Sequence, residues 1–230
     1  MTSRAYPSIA AICAFLAALA LPALSLASSG GGGMGPSGPQ APQPASGQVT
    51  SSSGNMTISA NQSAFLAGQV SFSGSVPASY AGDTVEIERL GHETHWQWAP
   101  TVQSTIGSDG SFSAVWSANH IGRFQVRAVL AAPGGAGAAS ASPTVTMTVY
   151  RPSVATQYGP GFYGHRTACG QVLRRGTIGV ANRTLPCGTN VAVYYDGQMM
   201  VVPVIDRGPY ANGADWDLTE ATGRALGIEG

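Results

Sequence analysis

Along Asn55 to Arg151, apolar and polar positions alternate in short bursts. Met56–Ala60, Gly68–Ser73, Thr84–Leu90, Val102–Ile106, Ser111–Trp116, Gly122–Val129 and Thr144–Tyr150 each alternate or are rich in β-branched residues. Period-two alternation puts one set of side chains on each face of a strand, so these segments predict half-buried strands. Turn signals separate them: Ala81-Gly82-Asp83, Ser108-Asp109-Gly110 and Pro133-Gly134-Gly135. About seven short strands at spacings near ten residues is the pattern of a β-sandwich. Phe112, Val115, Trp116, Phe124 and Val126 are its candidate core, although Val115 breaks the alternation.

From Val154 onward the strands are fewer and the turns denser. Val154–Tyr158, Gly179–Val180, Asn190–Tyr195 and Met199–Ile205 read as strands, parted by Tyr158-Gly-Pro-Gly161, Cys187-Gly188, Asp196-Gly197 and Arg207-Gly-Pro209. Leu218, Ala221, Ala225 and Leu226 recur at helical spacing. Asp217 or Thr219 is placed to cap that helix and Gly227 to end it.

The N-terminal pattern is different again. Ile9–Ala20 is almost wholly apolar, follows Arg4, and is broken by Pro22. Ser25-Leu26-Ala27 offers small residues at the two cleavage positions. This arrangement predicts an export signal over residues 1–27, cut after Ala27; a retained membrane anchor is the alternative. Cys13 lacks the small preceding residue of a lipidation site. Ser28–Gly54 is low in complexity and poor in apolar residues, which predicts a flexible linker.

Composition narrows the picture. A fifth of the 230 residues are Gly or Pro (31 and 15), and only 10% are charged. Eleven Arg, with no Lys, balance eleven acids. Long charged helices are excluded, and so is a binder that relies on neutralising nucleic-acid phosphates. With 43% hydrophobic residues, disorder throughout is excluded as well. In an oxidising compartment the two cysteines beyond the signal, Cys169 and Cys187, are expected to pair; two free buried thiols are the alternative. Nothing calls for a metal, nucleotide or redox cofactor: the Gly30–Gly33 run has no strand before it, and His165 stands apart from the cysteines. His92, His95, Trp96 and Trp98 form a local aromatic cluster, readable as a sugar-stacking platform or, more plainly, as one core and one hairpin Trp.

Asp206 ends the apolar run Val201–Ile205 and enters a tight turn. An apolar strand end can raise a carboxyl pKa, which suits a proton donor. The structural alternative is that Asp206 pairs with Arg207 or caps the turn.

Two stretches of sequence resemble known families. Gly107–Trp116 followed by Gly122–Arg127 resembles the bacterial immunoglobulin-like modules of secreted proteins. Tyr158–Gly164, Thr167–Gln171, Val180–Thr189, Val204–Tyr210 and Trp216–Thr219, in that order, resemble the RlpA-like double-psi β-barrel, the family of rare lipoprotein A-type cell-wall proteins. Paired cysteines and a preceding β-sandwich are similar to secreted actinobacterial members. The fold expectation is therefore all-β: an immunoglobulin-like sandwich over 55–151, then a six-stranded barrel over 152–230. The family pattern continues past Ala225–Ile228 into a closing strand, so closure of the barrel stays open.

The resemblance implies a groove for peptidoglycan or another wall polysaccharide. It implies lytic transglycosylation, which cleaves between N-acetylmuramic acid and N-acetylglucosamine and leaves a 1,6-anhydro product. Asp206 matches the general acid/base and Asp217 the second carboxylate. Tyr158, Gln171, Asn182, Arg183, Thr184, Arg207 and Tyr210 match groove positions. Gln171 and Asn182 stand where many members carry Glu and His, and neither can transfer a proton at neutral pH. A non-catalytic wall-binding or expansin-like module is therefore the alternative. Nucleic acid is not an expected partner, and a membrane is one only through an uncleaved signal. The sequence does not set an oligomeric state.

Overall fold

The computed structural model describes residues 9–15, 43–44, 47–130, 140–210 and 213–228. The chain divides into two compact units, one over Pro44–Pro152 and one built on Ser153–Gly230.

The first unit is a two-sheet sandwich. One sheet runs β1 (Gln48–Ser53), β2 (Met56–Asn61), β4 (Gln69–Ser75), β7 (Ser111–Ser117). The other runs β3 (Ser63–Phe65), β9 (Val145–Tyr150), β8 (Gly122–Leu130), β5 (Thr84–Leu90), β6 (Ala99–Thr105), with Ser140–Ala141 also on β8. All of these pairings are antiparallel except β3 with β9, which is parallel. Ile58, Phe72, Ile87, Phe112, Trp116, Phe124, Val126 and Met147 bury into one core between the sheets. The expectation for Val115 is corrected: it lies on the outer face of β7, 52% exposed, because strict alternation from Phe112 to Trp116 leaves it facing out. β1 is a second correction. It pairs with β2 along its whole length, although its sequence reads as the end of the linker. The linker residues 28–42 and 45–46 lie outside the described residues, as do 1–8 and 16–27 of the expected signal. Trp98 lies under the Arg127 guanidinium, 4.1 Å from the ring centroid, while Trp96 is exposed.

The second unit contains β10 (Pro152–Tyr158), β11 (Val180–Ala181), β12 (Asn190–Tyr195), β13 (Gln198–Asp206), β14 (Trp216–Thr219) and helix α1 (Glu220–Ala225). β10 pairs parallel with β14, β14 antiparallel with β11, β11 parallel with β13, and β13 antiparallel with β12. The strand Ile9–Phe15 lies between β12 and β10, which completes a ring of six strands; Gln43–Pro44 flanks β13 outside that ring. This is the curled sheet of a double-psi β-barrel. Val180, Val191, Val193, Met200, Val202, Val204 and Leu218 are buried in it.

Helix α1 begins later than the apolar spacing predicts. Leu218 belongs to β14, and the cap is Thr219, whose hydroxyl accepts from Thr222 N–H at 3.1 Å. Asp217 is thus not the cap. Below it, Thr222 Oγ1 accepts from Gly179 N–H at 2.9 Å and donates to Gly179 O at 3.0 Å, which ties the entry of β11 to the exit of β14.

Candidate active site

Strand register brings four residues of distant sequence into one row. Thr156 of β10 is opposite Asp217 of β14, Asp217 is opposite Ala181 of β11, and Ala181 is opposite Asp206 of β13. Opposite residues on neighbouring strands point to the same face. The β11–β13 register shifts between Val180 and Ala181, so a bulge brings Asp206 opposite Ala181; the two carboxylates are the cross-strand partners of Ala181 on its two sides, with their Cα atoms about two strand spacings, or roughly 9–10 Å, apart. Ala181 is 3% exposed, and its methyl is the only side chain between them in the row.

The two carboxylates have different surroundings. Asp206 Oδ1 accepts two N–H bonds, from Ala168 and from Arg207, each 2.8 Å long. An oxygen so held is fixed as an acceptor, and Oδ2 carries no hydrogen bond from the described residues. Asp217 Oδ1 accepts a bond from the Thr156 hydroxyl at 2.9 Å. Burial pushes the Asp217 carboxyl up to about 6; the Thr156 bond opposes this and the charge of Asp206 adds to it. One carboxylate is thus anchored by amides, while its neighbour holds a proton into mildly acidic pH. Two carboxyl groups in such different surroundings can divide acid and base duties.

Tyr158, at the end of β10, completes the polar centre. Its hydroxyl is buried and finds no hydrogen-bond partner among the described residues. Burial, with the charges of Asp206 and Asp217, raises its pKa far above the usual phenol value, so it stays a donor. Phe162 stands edge-on to Tyr158, with ring centroids 6.2 Å apart, and is 58% exposed. Sequence reasoning missed Phe162. The available signal was an apolar aromatic at the end of the Tyr158-Gly-Pro-Gly-Phe162 turn, where a core role is hard to satisfy. The turn is clamped to α1 by a bond from the Tyr163 hydroxyl to the Glu220 carboxylate, and Glu220 is in turn paired with Arg224 at 2.7 Å. Gly159 fits because a Cβ there would lie 2.6 Å from Tyr163 Oη.

The remaining expected site residues are placed as follows. Asn182 follows Ala181, and its N–H bonds Asp206 O at 3.1 Å. Its Oδ1 is occupied within its own loop, accepting from Thr184 N–H at 3.1 Å and Leu185 N–H at 2.9 Å. Arg183 donates to Pro209 O at 3.0 Å, which links this loop to the turn after Asp206. The Arg207 guanidinium donates to backbone oxygens, Asn182 O at 3.2 Å and Asp206 O at 3.5 Å, and to Cys187 Sγ at 3.4 Å. Among the described residues the Asp206 carboxylate is met by the backbone N–H of Arg207 and not by its guanidinium. Thr184 and Gln171 are exposed on turns, and Tyr210 is 80% exposed just past the cis Gly208–Pro209 bond. Cys169 and Cys187 form a disulfide, as expected.

Residues 154–230 match the family model described as lytic transglycolase. The same third of the chain is 46% identical over 77 residues to a probable endolytic peptidoglycan transglycosylase RlpA of Synechocystis, covering 33% of this chain and 24% of the relative. It is 38% identical over 76 residues to the probable counterpart of Aquifex aeolicus, covering 32% and 34%. Over 69 residues it is 35% identical to the endolytic peptidoglycan transglycosylase RlpA of Campylobacter jejuni, covering 29% and 25%. The chain thus spans about a quarter to a third of the length of these curated relatives.

Proposed function

From the premise that residues 154–230 are an RlpA-like double-psi β-barrel domain, we propose that this domain cleaves peptidoglycan glycan strands by lytic transglycosylation. The observation that carries the reading is the row Thr156–Asp217–Ala181–Asp206, which sets a buried carboxyl of raised pKa and an amide-anchored carboxylate on either side of one methyl group. The glycosidic oxygen sits over Ala181. Asp217 gives its proton to that oxygen as its bond to C1 of N-acetylmuramic acid breaks. The C6 hydroxyl of the same sugar attacks C1 and passes its proton to Asp206. The products are a free 4-hydroxyl and a 1,6-anhydro ring, and no water is consumed. One proton exchanged with solvent at each carboxylate restores the starting state. The Tyr158 hydroxyl donates to the sugar, and Phe162 and Tyr210 offer exposed rings to its apolar faces. The N-terminal segment directs the chain out of the cell, to the wall.

The test is incubation of the full chain with peptide-stripped glycan strands and mass spectrometry of the soluble products. Anhydro-muramyl fragments are expected, and they should disappear with Asp206→Asn and with Asp217→Asn. Absence of such fragments from the parent protein would refute the reading. A second reading, a binding or wall-loosening module, is favoured by Asn182, whose Oδ1 is spent on its own loop and which cannot carry a proton. That reading expects co-sedimentation with insoluble peptidoglycan and no soluble fragments.

A further inference from the structure

We propose that the Cys169–Cys187 disulfide is a positioning device for Asp206, holding the Ala168 N–H against its carboxylate. The inference goes beyond the transglycosylase reading, although its effect on turnover rests on that reading.

The two N–H donors on Asp206 Oδ1 differ in origin. Arg207 is the next residue, so its amide comes with the strand end. Ala168 is 38 residues away and arrives on a separate turn. That turn is bonded mostly to itself: Thr167 N–H to Gln171 O at 2.8 Å, Gly170 N–H to Thr167 O at 2.9 Å, and Arg166 to Gly170 O at 2.7 Å. Leu173 buries the base of the segment, where its N–H bonds His165 O. At the tip, the Ala168 bond and the disulfide from its neighbour Cys169 tie the turn to the rest of the barrel.

The other half of the bridge is anchored where it matters. Cys187 lies in a turn bonded to β13 itself: Gly188 N–H to Val204 O and Val204 N–H to Thr189 O, each 2.8 Å. Val204 precedes Asp206 by two residues. Arg207, just after Asp206, donates to Cys187 Sγ at 3.4 Å. The covalent link therefore runs from the strand that carries the carboxylate to the loop that carries its second donor. An amide brought from a distant loop stays on target only while that loop is held, and the bridge closes a short circuit around this contact. With the bridge open, Asp206 keeps the Arg207 bond and can rotate about it.

The experiment measures hydrogen exchange of backbone amides in the full chain, oxidised and reduced, and in the double variant Cys169→Ser/Cys187→Ser. Cys187 is exposed, so a mild reductant reaches it. In both bridge-free forms the Ala168 amide is expected to exchange at least about fivefold faster, the worth of one hydrogen bond. Amides of β12 and β13 should keep their protection. Asp206→Ala, with the bridge intact, should release the Ala168 and Arg207 amides together, whereas opening the bridge should release that of Ala168. On glycan strands, opening the bridge should lower kcat about tenfold with KM unchanged, as expected for a misaligned group, and reoxidation should restore it. Unchanged protection of Ala168 in the bridge-free forms would overturn the proposal. So would loss of protection across the whole barrel, which would make the bridge a support of the fold. If Ala168 follows the bridge but no form cleaves glycan, the positioning role stands and the transglycosylase reading falls.

Discussion

Asp217 carries a cost to stability in its folded surroundings. The carboxyl titrates near 3.8 when unfolded and is raised to about 6 in the fold, with burial as the main cause. Below pH 3.8 both states are protonated and the group costs nothing. As the pH rises toward 6 the unfolded chain ionises first, so stability drains away, and above 6 the loss is complete at no more than about 3 kcal/mol. Asp217→Asn keeps an acceptor for Thr156 and removes the titration. Urea melts at pH 4 and pH 7.5 should show the variant gaining on the parent at the higher pH, while its cleavage of glycan is lost. In the parent, cleavage should decline on the alkaline side with a midpoint near pH 6. Phe162→Ala should leave stability within about 0.5 kcal/mol, since the ring is exposed, and should raise KM for glycan strands.

At the scale of elements, the site depends on how β11 and β14 meet, and the Thr222–Gly179 pair fixes that meeting. Thr222→Val has nearly the parent's shape but strands the buried N–H of Gly179, while Gly179 O keeps its bond from Thr219 N–H. A loss of about 1–3 kcal/mol is expected in urea melts, from that one unpaired group. The same scale shows what was legible in advance. The pattern revealed the sandwich strands from β2 onward except the three-residue β3, and the barrel strands except β14, because burial of one face dictates period two over longer strands. It did not reveal β1, whose QVTSSS sequence is as polar as the linker and whose pairing on one side alone leaves much of it exposed. It misplaced the start of α1, because Leu218 continues the helical spacing of Ala221 and Ala225 while sitting in a four-residue strand. Asp206 and Asp217 could each be named from their motifs. Their placement either side of Ala181 could not, since parallel and antiparallel registers between strands far apart in sequence are set by the closed barrel rather than by any local pattern.

For the whole molecule, the strand Ile9–Phe15 comes from the segment whose pattern predicts an export signal. A chain made without residues 1–27 leaves the facing edges of β10 and β12 without that strand. Unpaired edges invite pairing with other chains. Light scattering and thermal melts should show a lower melting temperature and concentration-dependent association for the shortened chain; equal behaviour would show that the two edges close by other means. The row across the barrel has a last consequence. Thr156, Asp217, Ala181 and Asp206 come from four separate strands, and no two of them are local in sequence except by way of the whole ring. A partly unfolded chain keeps no working remnant of such a centre. Turnover becomes a gauge of cooperative folding, and on heating it should fail together with the tertiary signal rather than ahead of it, unlike sites assembled from independently melting loops.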